Sequence, residues 1–304
     1  MLRDGIRNEA YRQALLKVVR PEHVVLDMGA GTGILSIFAV HAGARKVYAV
    51  ERTEITAVAE RIVASNGLTD RIQIIKSDLE DVDLPEKVDV IMSEWMGSLG
   101  VDENMLAPLV MARDRWLKPG GIIVPGRVTA MLAPATVDEL DDGLAHWRSQ
   151  PHEVDLSVIA SISANESFIT QAPLTPADLI APPQMLWTHD AYTCSLEEAD
   201  RSFIAKLRFT AARAGRVSGF VTWFTAEMCD GVSLTNAVGA PPTHWGRLLF
   251  PLARAIDVVE GTAIQVELHC EAATAGSCEF YWATTIGDRP LEQHDTRSSR
   301  NARF

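Results

Sequence analysis

The sequence has no apolar run long enough to span a bilayer, and its start, Met-Leu-Arg-Asp-Gly-Ile-Arg, has no secretory hydrophobic core. Both absences point to a cytoplasmic chain with no membrane partner. Cys194, Cys229, Cys270 and Cys278 form no C-x-x-C pair and have no histidine at zinc-ligand spacing, although His269 precedes Cys270. They read as free thiols of a reducing compartment, with no metal implied. Basic excess is lacking too. The formal net charge is -12, which argues against nucleic acid as a partner, because neutralising phosphates needs basic surface. An acidic chain suits a cationic substrate instead. No internal repeat is present. What remains is an ordinary globular composition, 47% hydrophobic over 304 residues, enough for a sizeable core in one large domain or two modest ones.

The stretch from Val24 to Gly33, Val-Val-Leu-Asp-Met-Gly-Ala-Gly-Thr-Gly, organises the chain. Its apolar residues suit a central strand of a parallel sheet, buried on both faces. Gly29, Gly31 and Gly33 permit positive φ and close approach of a ligand, and Ile34 to Ala42 supplies a helix whose N-terminus points back at the turn. A dinucleotide G-x-G-x-x-G fingerprint needs glycine where Ile34 stands, which weakens a nicotinamide reading. G-x-G-x-G closely preceded by an acidic residue, here Asp27, is the pattern of S-adenosylmethionine enzymes. Lys46 to Val50 is a second short strand ending in Glu51, roughly 20 residues past the first glycine, where a carboxylate can accept both ribose hydroxyls.

Ahead of this core, Tyr11, Leu15 and Val18 at helical spacing predict a helix that ends before Pro21, with Arg7 on its early turns. Arg7 is either a surface arginine or a carboxylate-binding one. Ile55, Val58, Ala59, Ile62 and Val63 trace an amphipathic crossover helix stopped by Asn66-Gly67, and Arg71 to Lys76 reads as a third strand. At its carboxyl end Asp78 or Glu80 is placed to reach an adenine amino group, unless the acidic loop is simply solvated. Val88 to Met92, a fourth strand, runs into Ser93-Glu94-Trp95-Met96-Gly97, and Glu103 follows. Glu94 and Glu103 cannot share a helix face, but a loop between them can turn both carboxylates to one point. A helix from Met105 to Trp116 stops near Lys118-Pro119-Gly120-Gly121, Ile122 to Val124 is a fifth strand, and Pro125-Gly126 suits a domain boundary. Beyond it short strands dominate, at 203–209, 217–224, 264–270 and 280–285, as in a β-sandwich or barrel. A polar, proline-containing excursion at about 138–180 suits a surface loop or a dimerisation arm, and 295–304 suits a mobile tail.

Taken in order, Leu26-Asp27-Met28-Gly29-Ala30-Gly31-Thr32-Gly33, Ser93-Glu94-Trp95-Met96-Gly97, Glu103 and Thr243-His244-Trp245 resemble the protein arginine methyltransferase family over most of the chain. The resemblance implies an α/β fold: a Rossmann-like class I methyltransferase domain, residues 1–125, followed by a β-barrel domain, 126–304, that bears a dimerisation arm at about 138–180 and forms a homodimer. It implies S-adenosyl-L-methionine as cofactor. Arg7 would hold the cofactor carboxylate, Asp27, Gly29 and Gly31 the methionine-binding turn, Glu51 the ribose and Glu80 the adenine side, with Met105 beside the sulfonium. Glu94 and Glu103 match the paired glutamates that hold the guanidinium, His244 the histidine of the Thr-His-Trp loop, and Asp4 its partner. Two departures stand out. The family's Tyr-Phe-x-x-Tyr helix would precede Met1, and the loop Ser98-Leu99-Gly100-Val101-Asp102 lacks the family's aromatics.

A guanidinium stays protonated at any physiological pH, so its nitrogens are poor nucleophiles. Two carboxylates would align it and draw charge toward the held nitrogens, freeing the remaining one to attack, with His244 and Asp4 or Glu103 as late proton acceptors. The expected activity is methyl transfer to arginine in a peptide or protein. Free arginine or another small guanidino compound remains open as the acceptor, as do a non-catalytic dimeric scaffold and nicotinamide oxidoreduction.

Overall fold

The structure is a computed structural model that describes residues 1–200, 202–273 and 278–301. Its first part alternates helix and strand: α1 (Gly5–Val18), β1 (Val24–Met28), α2 (Ile34–His41), β2 (Lys46–Glu51), α3 (Thr56–Ser65), β3 (Ile72–Lys76), β4 (Val88–Ser93), α4 (Leu106–Trp116) and β5 (Leu117–Val124). The strands lie parallel in the order β3-β2-β1-β4-β5. Strand order reverses at β1, so the crevice between the carboxyl ends of β1 and β4 is where such sheets bind ligands. β1 is buried along its whole length, as a strand covered on both faces must be.

The β1 and β4 ends are fastened by a short relay. Met28 stands opposite Ser93, whose Oγ donates to the Met28 carbonyl at 2.8 Å. The Ser93 carbonyl in turn accepts from the hydroxyl of fully buried Tyr11 on α1 at 2.9 Å. β5 begins earlier than the sequence suggested. Lys118-Pro119-Gly120-Gly121 lies inside this edge strand, at a register shift against β4, and a bulge at an edge is where a sheet tolerates proline and glycine.

The second part comprises β6 (Arg127–Ala135), α5 (Asp138–Arg148), α6 (Ser157–Ser163), β7 (Phe168–Thr170), β8 (Gln184–Asp190), α7 (Leu196–Ala199), β9 (Phe203–Thr210), β10 (Gly215–Cys229), β11 (Val232–Thr235), β12 (Arg247–Val258), β13 (Ala263–Ala272), β14 (Cys278–Ile286), β15 (Glu292–Asp295) and α8 (Thr296–Asn301). One antiparallel sheet runs β7-β12-β10-β6-β8, with β11 on β10, and another runs β15-β14-β13-β9. Phe220, Phe250, Leu268 and Trp282 share the core between them. The four expected strands fall within β9, β10, β13 and β14. The 138–180 excursion is more structured than its polar composition suggested: Leu140 and Leu144 give α5 a buried face, and β7 pairs with β12. The expected mobile tail is partly wrong. Asp295 ends β15 and the chain continues into α8, because His294 stacks on Trp282 at 4.8 Å and the Thr296 hydroxyl accepts from the Phe280 amide at 2.9 Å. The rest of that expectation, residues 302–304, lies outside the described residues.

Tyr11→Phe deletes the hydroxyl at the end of the relay and leaves the buried Ser93 carbonyl without that donor. Urea denaturation is expected to show a loss of about 1–2 kcal/mol, and an unchanged midpoint would count against the relay.

Candidate active site

A cleft of about 590 Å³ opens over the carboxyl ends of the parallel strands. Gly29, Glu51, Glu80, Glu94, Glu103, Met105 and His244 line it, and Arg7 and Asp27 are buried alongside. A roomier groove of about 740 Å³ beside Ile122, Arg127 and Tyr192 contains none of these residues and no unpartnered buried polar atom among the described residues. The chemistry therefore belongs to the strand-end cleft.

On one side the glycine turn makes a cradle. Gly29, Gly31 and Gly33 have φ of +70°, +54° and +77°, so the turn needs residues free of a Cβ penalty, and α2 starts at Gly33 without a side-chain cap. Glu51 closes the turn: its Oε2 accepts the Gly31 amide at 3.0 Å and its Oε1 the Thr53 amide at 2.8 Å. Burial works to raise this carboxyl, but these amides outweigh it and hold it below the ordinary range. A carboxylate has room for further donors beyond two, as a ribose diol requires. Met105 packs over the turn, its methyl 3.6 Å from where a Gly29 Cβ would stand. Glu80 is an exposed wall of the cleft.

Beneath lie the two groups that most call for a ligand. Asp27 is 1% exposed; its Oδ2 accepts from the Ser36 hydroxyl at 2.6 Å, while its Oδ1 has no partner. Burial pushes its carboxyl up to about 6 against the pull of Ser36 and Arg7. Arg7, 3% exposed, spends Nη1 on Asn8 at 3.0 Å and leaves Nε unpartnered. It is not the surface arginine that was one reading of its position. An orphaned buried guanidinium nitrogen and an orphaned carboxylate oxygen are complementary to the carboxylate and ammonium of an amino acid, so the residues present fit the methionine moiety of S-adenosylmethionine.

The opposite side is acidic. Glu94 follows β4 directly and is half-buried, its Oε1 accepting the Met96 amide at 3.2 Å. Glu103 is open to the cleft yet surrounded by protein atoms; loss of hydration pushes its carboxyl up to about 8, with the charges of Glu94 and Asp102 adding to the rise and Arg7 opposing it. Burial raises Glu94 as well, with Arg7 opposing. Like charges are thus held close enough to feel one another, in a site that favours a cation between them. His244 completes the wall. Its amide donates to Asp4 Oδ2 at 2.8 Å and its Nδ1 lies 2.9 Å from the same oxygen. A carboxylate only accepts, so Nδ1 carries the hydrogen and Nε2 is bare. Burial lowers the imidazole below its ordinary value despite Asp4, keeping it neutral at physiological pH.

The family of the arginine methyltransferase oligomerization subdomain matches residues 128–278, and that of ribosomal protein L11 methyltransferase (PrmA) matches residues 12–125. Protein arginine N-methyltransferase 6 of Danio rerio is 36% identical over 278 residues, 88% of this chain and 79% of its own length. The chain belongs to the protein arginine N-methyltransferase family. A probable histone-arginine methyltransferase 1.4 of Arabidopsis thaliana is 37% identical, covering 91% of this chain and 54% of that protein. Among solved structures, the Trypanosoma brucei PRMT1 enzyme-prozyme heterotetrameric complex with AdoHcy superposes with a TM-score of 0.85 at 28% identity, covering 97% of this chain and 95% of that one. Protein arginine methyltransferase 10 of Arabidopsis thaliana, in a uniquely open conformation, gives 0.80 at 29%, covering 97% and 96%.

For a member of this family, the site holds residues that the motifs alone did not reveal. Asn236 is 2% exposed and ties three segments together: its Oδ1 accepts the Phe224 amide at 2.7 Å, and its Nδ2 donates to Gly246 at 2.6 Å and Ser98 at 3.4 Å. It belongs to no motif, so only the fold reveals it. The loop Ser98 to Asp102 has a structural reason for lacking aromatics: Leu99 and Val101 insert into the core of the antiparallel sheets, and a Cβ at Gly100 would stand 2.9 Å from Val128.

A raised carboxyl in the folded state costs stability as it ionises. Folded chains hold the Glu103 proton beyond the range where an unfolded glutamate loses it, so stability falls as pH rises from about 4.5 to about 8. Glu103→Gln removes that penalty. Scanning calorimetry is expected to show a Tm gain over the parent that is absent near pH ~4 and grows toward pH ~8; a gain independent of pH would contradict the raised carboxyl.

Proposed function

We propose that this protein transfers a methyl group from S-adenosyl-L-methionine to a guanidino nitrogen of arginine side chains in proteins. The observation that carries the proposal is the pairing of Glu94 and Glu103 across one cleft from an amino-acid-shaped cradle. Arginine in a protein is favoured over free arginine as the acceptor by the names that the relatives carry. A nicotinamide reading has no support in the turn, where Ile34 stands in the place of a glycine.

When bound, S-adenosylmethionine supplies an electrophilic methyl group. Arg7 would hold its carboxylate, Asp27 its ammonium, Glu51 the ribose and Glu80 the adenine side, while Gly29 and Gly31 would give room and Met105 would pack near the sulfonium. Glu94 and Glu103 accept the guanidinium hydrogens. The incoming cation favours the ionised form of Glu103, whose proton is released to solvent, so both carboxylates are ionised in the complex and localise positive charge on the two nitrogens they hold. The third nitrogen is left with the freer lone pair. One proton must leave it for the product to carry a single charge, and the bare Nε2 of neutral His244, oriented by Asp4, is the acceptor.

Residues 1–125 act as the cofactor-binding domain and 126–304 as the substrate domain, its two sheets forming a barrel. The 138–180 segment serves as the arm of a homodimer, which agrees with the oligomerization subdomain matched there. Among the described residues no helix is long and apolar enough to cross a membrane, and four free cysteines suit a reducing cytoplasm.

Labelled methyl transfer tests the proposal with an arginine- and glycine-rich peptide, the same peptide with lysine for arginine, and free arginine. Only the first is expected to be labelled, and Glu94→Gln is expected to cut turnover by ~10²-fold or more. Labelling of free arginine alone, or unchanged turnover in the variant, would overturn it. Light scattering is expected to give twice the 33.2 kDa chain mass.

A further inference from the structure

We infer that Asp102 is a positioning residue of the guanidinium site: it folds the loop that brings Glu103 back toward Glu94 and sets a third negative charge beside them. The inference rests on the function proposed above. Asp102 Oδ2 accepts the Ser98 amide at 3.1 Å and its Oδ1 the Leu99 amide at 2.6 Å. A Cβ on Gly97 would stand 2.5 Å from Oδ1 and 2.9 Å from Oδ2, and Gly97 has φ +59°, so this glycine is what admits the carboxylate. The held segment is not free to drift. The Ser98 hydroxyl donates to the Trp245 carbonyl at 3.2 Å, and Leu99 and Val101 are buried in the antiparallel core. Asp102 therefore locks a turn whose far side is already anchored to the Thr-His-Trp loop, and Glu103 is the next residue along.

Asparagine and serine commonly close such turns, but each offers one acceptor oxygen where Asp102 offers two, one to each amide. An aspartate here also adds repulsion. The titratable groups facing it are Glu94 and Glu103 within the same segment and Cys270 on β13, with Cys278 beside that thiol and bonded to Asn104 at 3.3 Å; Arg7 is the opposing charge on the glutamates. Burial raises both glutamates first, and Asp102 pushes each further. Burial raises Asp102 itself, against the pull of the amides it holds, and its charge favours keeping the proton on Glu103 in the empty site, which a bound guanidinium reverses.

Carbon-13 NMR of glutamate-labelled protein, with Glu103 assigned through Glu103→Gln, reads the carboxyl titration without turnover. Asp102→Asn is expected to lower the Glu103 midpoint by about one pH unit and to move the acid limb of kcat/KM for an arginine peptide to lower pH by the same amount. KM for the peptide should rise, whereas S-adenosylhomocysteine should still raise the Tm. Asp102→Ser also lacks the charge and serves if the asparagine variant does not fold. An unmoved midpoint, or a loss of kcat/KM that is uniform in pH, would overturn the inference. A parent protein that labels no arginine peptide would instead count against the proposed function, with the NMR titration still deciding the role of Asp102.

Discussion

Glu94 and Glu103 repel one another, and the rest of the site follows from how the fold keeps them at one cleft. The loop between them is fastened by main-chain hydrogen bonds to Asp102, by the Ser98 hydroxyl on the Trp245 carbonyl and by two apolar side chains sunk into the antiparallel core. Several modest interactions thus offset a concentrated electrostatic cost. The residual tension is visible as raised carboxyls, and a cation of matching shape relieves it. Under the proposed function, affinity for a guanidinium would be built in during folding.

The cofactor side uses the reverse arrangement. There the polar groups are drawn below their ordinary titration range by amides, as at Glu51, or left with one atom unsatisfied, as at Arg7 and Asp27. Arg7 connects the two halves, since its charge acts on Asp27 and on both glutamates. One buried arginine thereby favours ionised carboxylates on both sides of the cleft before any ligand arrives.

The parallel half was legible because local signals agreed there. Buried runs, positive-φ glycines and strand-end carboxylates each pointed to the same crevice, whereas its place between β1 and β4 came from the strand order of the structure. The antiparallel half was less so. β6 and β12 are apolar on stretches with little alternation, and β7 is three residues long, so periodicity gave no sign of them. Asn236 and Asp102 were hidden for a different reason: their roles are contacts between segments distant in sequence or within an irregular loop, and no spacing rule encodes those. The tail misled because His294 and Thr296 are polar residues whose partners lie on another strand.

Asp4 caps α1 through the Arg7 amide and also binds His244, 240 positions later. The chain must therefore be made past His244 before Asp4 finds its partner. During synthesis the parallel sheet has its strands early, but the wall contributed by the Thr-His-Trp loop comes only after most of the antiparallel half exists. A nascent chain would pass through a stage with the glycine cradle formed and the acceptor side open, which ties the order of assembly to the chain's direction.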